Sequence, residues 1–130
     1  MIKLLTINII LGYRVAQLKV IFSIPKRAIS QLFPANHSPP QYLAYVEWFT
    51  PFSRSPQANH LLYRVKRALS PNGDRLASVI PLQCIRRSIQ LFPSFGPIAP
   101  REWTSSNVLD LCPSFYVNSF TDRHTYYTIK

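Results

Sequence analysis

Apolar and polar residues alternate with a period of two along several short stretches of the chain, and prolines separate the stretches. In Arg14–Ile24, RVAQLKVIFSI, the residues Ala16, Leu18, Val20, Phe22 and Ile24 share one parity. The other parity, Val15, Gln17, Lys19, Ile21 and Ser23, is mixed, which predicts a strand with one face buried and the other partly covered. In Leu43–Thr50, LAYVEWFT, the set Ala44, Val46 and Trp48 alternates with Leu43, Tyr45, Glu47 and Phe49. Bulk on both faces predicts a central strand whose aromatic residues belong mostly to the core. Farther on, Leu61, Tyr63 and Val65 point one way and Leu62, Arg64 and Lys66 the other. The cluster Ser70-Pro71-Asn72-Gly73-Asp74 then makes a turn in which Gly73 supplies a positive φ. Leu61–Leu69 and Arg75–Ile80 are therefore expected to form a hairpin. Ile85–Phe92 reads as one more strand after a break at Pro81.

Twelve prolines against three glycines exclude long elements, because proline interrupts ladders and helices alike. Residues 93–100, PSFGPIAP, read as a connector. Thr104, Ser105 and Ser106 offer hydroxyl caps before the apolar Val108–Leu111, so one short helix is expected there, stopped by Pro113. FYVNSFT and HTYYTI close the chain as strands, paired across Thr121, Asp122 and Arg123. The expected fold is α+β and mostly β: a small antiparallel barrel or sandwich with one short helix. A single domain over residues 13–130 is expected, with residues 1–12 as an extension outside it.

Composition sharpens the picture in one respect. Lysine and arginine total 15 against 5 acids, a formal charge of +10, which favours polyanionic partners: nucleic acid first and an acidic protein tail second. Hydrophobic residues at 47% and aromatics at 13% argue against wholesale disorder. No apolar run reaches the roughly 20 residues of a membrane helix, so no membrane partner is expected. The apolar run Leu4–Leu11 is short for a signal peptide and is followed at once by Arg14. A nuclear or cytoplasmic location is expected, and Cys84 and Cys112 as free thiols.

Three phrases carry a family resemblance: LAYVEWFTPF (residues 43–52), RLASVIPLQCIRRSIQLFPSFGP (75–97) and EWTSSNVLDLCPSFYVNSFTDRHTY (102–126). In this order they resemble the C-terminal region of proteins encoded by basidiomycete DNA transposons of the plavaka, or Kyakuja–Dileera–Zisupton, type. The resemblance implies a transposon-derived module without the transposase core, one that contacts DNA or one that only serves the assembly of a larger transposase and has no activity alone. Residues 1–12 have no counterpart in it, which implies a truncated gene model. At the level of fold, the order YVEWF, LLYRVKRA, ASVIPLQCIRRSIQLF, SFYVNSF is similar to bromo-adjacent homology domains. That likeness implies a protein-interaction module of chromatin.

The residues themselves point to no catalysis. His37, His60, His124, Cys84 and Cys112 lack metal-ligand spacing, and no three of Glu47, Glu102, Asp110 and Asp122 are marked as convergent. Three glycines build no phosphate cradle, so neither enzyme nor cofactor is expected. The basic set is the strongest signal. Arg64 and Lys66 share a face, Arg86 and Arg87 lie on the next strand, and Arg75 joins them from the turn, while the parity of Arg67 and of Arg87 allows these two to point elsewhere. Such a patch would bind phosphates without reading sequence, each neutralised charge releasing a counterion; the plainer reading is a solvated strand face. An aromatic cage for a methylated lysine is the alternative, built from Tyr45, Trp48, Phe49 and Phe52 with Glu47 adding complementary charge.

Overall fold

The computed structural model describes residues 3–9, 12–53 and 62–118. The chain forms β1 (Lys3–Ile9), β2 (Gly12–Phe22), α1 (Lys26–Leu32), β3 (Leu43–Trp48), β4 (Tyr63–Val65) and β5 (Ala77–Pro81). A 3-10 turn (Leu82–Cys84), β6 (Ile85–Ser88), β7 (Leu91–Pro93), the single helical turn α2 (Val108–Leu111) and β8 (Phe115–Val117) follow. One sheet has five strands in the order β5-β3-β2-β1-β6, and a second has three, β4-β8-β7. All pairings are antiparallel. The expected β-rich α+β class is thus observed. Among the described residues no helix is long and apolar enough to cross a membrane.

The five-stranded sheet must curl. Its two edge strands, β5 and β6, are joined only by the 3-10 turn. Pro81 to Ile85 is four Cα steps, at most ~14 Å. The edges of a flat five-stranded sheet stand ~19 Å apart, four spacings of ~4.8 Å. The sheet therefore bends around its own inner face. There Ala16, Ala44, Val46, Trp48 and Ala68 form one buried cluster, against which Ile80, Leu82 and Ile85 pack. The next residue in each central strand faces the other way: Val15 and Phe49 enter a second cluster with Val65, Ile89, Leu109, Cys112, Phe115 and Val117. The bulk on both faces of β3 thus serves two cores, one inside the curl and one between the two sheets.

Several expectations change. A register shift between Leu18 and Val20 makes Lys19 a bulge residue: Leu18 still pairs with Val46, but Val20 pairs with Tyr45. One extra residue reverses the faces of everything after it. Val20, expected beside Ala16 and Leu18, is therefore exposed, and Ile21 falls opposite the buried Ala44. The expected hairpin closes only at its tip, where Leu69 bridges Arg75 and Gly73 has φ +87°. Below the tip the arms part, β4 to β8 and β5 to β3. The expected strand Ile85–Phe92 breaks at Ile89–Gln90, its first half pairing with β1 and its second with β8. Residues 3–9, expected outside the domain, form β1 between β2 and β6. The expected strand HTYYTI and the turn before it lie outside the described residues, as does Leu61.

Candidate nucleic-acid interface

The charged residues meet where β3, the segment after β4 and α2 come together. Glu47, at the end of β3 and 15% exposed in its side chain, receives three cations. Its Oε2 accepts from Arg75 at 3.1 Å and from Arg67 at 3.5 Å, and Oε1 stands 3.9 Å from Lys19 Nζ. Antiparallel bridging of Phe49 to Arg67 brings the Arg67 side chain, only 9% exposed, across this point. Its Nη2 donates to Gln17 Oε1 and, at 3.3 Å, to the Leu109 carbonyl. Arg75 also donates to Asp110 Oδ1 at 2.7 Å, on the outer side, where Asp110 is 54% exposed. Burial and the neighbouring charge of Arg75 lower the Arg67 pKa, while Glu47 and Asp110 pull it back up. The hydrogen bond between Arg75 and Asp110 raises the arginine pKa and lowers that of the carboxyl.

Among the described residues, three arginines have a buried Nε without a hydrogen-bond acceptor: Arg14, Arg64 and Arg67. Each guanidinium lies over an aromatic ring, at 4.9 Å from the Trp48 centroid, 5.3 Å from Tyr116 and 4.6 Å from Phe49 respectively. The electron-rich ring face compensates in part for the missing acceptor. Arg14 additionally donates to the Phe49 carbonyl at 2.6 Å, and burial lowers its pKa. Arg64 donates to Tyr116 Oη at 2.9 Å, which lowers the phenol pKa.

The expected basic set is divided by this arrangement. Lys66 and Arg75 line one shallow cleft of about 340 Å³, together with Arg67 and Asp110. Arg64 sits on Tyr116 in the small sheet, while Arg86, exposed, and Arg87, half-buried, belong to edge strand β6 of the large one. Among the aromatic residues, Phe49 is fully enclosed and stacked edge-to-face on Phe115 at 5.9 Å. Trp48 is buried and donates through Nε1 to Ser78 at 2.9 Å. Phe52 packs against the second cluster and near Tyr63, and Tyr45 is exposed on the outer face of β3. The faces of Trp48 and Phe49 that a methylated lysine would use hold Arg14 and Arg67.

Sequence reasoning did not single out Gln17 or Asp110 as partners of the arginines, nor Arg67 as their centre. The available signal was a glutamine on the mixed face of an otherwise apolar strand. Among the described residues, no three His, Cys, Asp or Glu side chains gather as a metal site would require. Comparison of the chain with protein-family models, curated proteins and solved structures finds no match.

Proposed function

We propose that this chain is a non-catalytic module that contacts nucleic acid, DNA in particular, through charge and without sequence reading. One observation carries the proposal. Every ion pair among the described residues ends on Glu47 or Asp110, and these two acids are taken up by Arg67, Arg75 and Lys19. Lys26, Arg27, Lys66, Arg86 and Arg101 stand exposed with no acidic partner among those residues. Internal pairing thus removes both signs together and leaves the excess positive charge on the surface. The transposon-like phrases in the sequence fit a role beside DNA, and a nuclear or cytoplasmic location follows from the same reading.

The test is anisotropy of a labelled duplex titrated with the protein at low and at physiological salt. Binding through five cations should give a log–log salt slope of about −4.5. Reversing Lys26, Arg27, Lys66, Arg86 and Arg101 to Glu should abolish it, whereas retained binding would sink the proposal. The other reading, a bromo-adjacent-like module for a chromatin peptide, draws on a different observation. Val20, Tyr45 and Val79 lie in one cross-strand row on the outer face of the large sheet, and all three are exposed. That mode predicts binding almost indifferent to salt and lost in Tyr45→Ser.

A further inference from the structure

The cleft beside Arg67 has an asymmetry that simple charge pairing leaves unexplained. Glu47 holds both arginines from the side of the sheet, so each keeps a carboxylate partner apart from Asp110. Gln17 and the Leu109 carbonyl fix Arg67 further. Asp110 closes the open side. Among the described residues its own side chain is held by Arg75, at 2.7 Å, with Arg67 at 3.9 Å, and it is more than half exposed. An exposed pair of this kind contributes little, because water competes for both partners. Lys66 lines the same cleft and has no acidic partner among the described residues. The cations Lys19, Lys66, Arg67 and Arg75 outnumber Glu47 and Asp110 around this point, so the cleft keeps a positive charge even with Asp110 in place. Leu69 and Leu111 complete its walls with apolar surface, which focuses that field.

We infer that this cleft is a seat for a phosphate group, and that Asp110 is the carboxylate occupying it when no phosphate is bound. A phosphate offers more acceptor oxygens than a carboxylate and matches the planar fork of Arg75. It would meet Arg75 and Lys66 together, and displacing Asp110 sends that side chain into solvent that already reaches it. That the phosphate belongs to a nucleic-acid strand rests on the proposed function; the seat itself does not.

Two titrations of the whole chain separate the two claims. In the first, inorganic phosphate alone is added and backbone amide shifts are followed by NMR. Shifts should centre on Lys66, Arg75, Asp110 and Leu111. Asp110→Asn, which removes the competing carboxylate, should tighten binding about fivefold. Lys66→Met, which removes a cation that no ion pair of the network uses and adds no competing carboxylate, should largely remove it. Shifts spread over all exposed cations, or an Asp110→Asn variant that binds no tighter, would overturn the seat. The second titration repeats these variants with labelled duplex. Tighter duplex binding by Asp110→Asn assigns the seat to the strand's phosphates. Phosphate binding without any duplex binding keeps the seat and removes the nucleic-acid reading. Duplex binding indifferent to both variants keeps that reading and overturns the seat as its contact.

Discussion

Arg67 shows how one side chain can be costly to bury and still be held in place. Its guanidinium gives up water for Glu47, Gln17, a carbonyl and the face of Phe49. Removing the counter-charge should therefore matter far more than removing the exposed acid beside it. Glu47→Gln is expected to cost about 3 kcal/mol, because an uncompensated charge stays buried. Asp110→Asn should cost under about 1 kcal/mol; urea unfolding of the two variants gives the comparison. The second value should also depend on acidity. The hydrogen bond from Arg75 lowers the Asp110 pKa in the folded chain below its unfolded value. Its contribution is then complete above the unfolded carboxyl range, near about 4, and vanishes as pH falls through the lower folded value. The gap between wild type and Asp110→Asn should be constant from neutral pH to about pH 5 and close in more acid solution. The sequence showed these residues as an excess of bases with a few acids. It did not show their meeting, because Glu47, Arg67 and Asp110 come from separate elements and alternation says nothing about contacts between elements.

At the scale of elements, period-two alternation located β2, β3 and β4 and misjudged what a single inserted residue does. Lys19 carries nothing that marks it as a bulge; only the pairing of Leu18 with Val46 and of Val20 with Tyr45 reveals it. Deleting Lys19 should remove the bulge and leave Val20 opposite Tyr45 and Ile21 opposite Ala44, so the melting temperature should change little, whereas deleting Val20 as well would reverse the faces of the residues after it and lower it. The turn at the tip of the parted hairpin was legible because its chemistry is local. Gly73 has φ +87° and open space where a Cβ would stand. Gly73→Ala should therefore cost only the backbone term, about 1 kcal/mol, in a denaturant titration. Helix α1 was missed, although Pro25 precedes it and Ala28, Ile29 and Leu32 recur at helical spacing. Its face is shallowly covered and none of its residues is fully buried, so tertiary packing gives the element little weight.

Across the whole molecule, the two sheets are joined by buried side chains and by continuous chain. Phe49, from the end of β3, meets Phe115 of β8 edge-to-face at 5.9 Å, and both are enclosed. Phe115→Ala should destabilise by about 3–5 kcal/mol and, if the sheets unfold together, leave a single thermal transition. A variant that melts in two steps would show that the small sheet separates. The mostly-β class followed from proline density and short alternating runs. Which strands are neighbours did not, since the run from Ile85 to Phe92 changes sheets at Ile89–Gln90 without any break in its pattern. The curl of the large sheet bears on a different question, how the molecule avoids sticking to copies of itself. Because β5 and β6 do not pair, each has one edge with no strand beside it among the described residues, where another chain could add by backbone hydrogen bonding. On β5 the edge ends in Pro81, whose ring has no N–H to give. On β6 it carries the consecutive Arg86 and Arg87, so two copies approaching edge to edge bring like charges together. The two edges of the curled sheet therefore carry their own guard against aggregation, one limited by a missing donor and the other by repulsion.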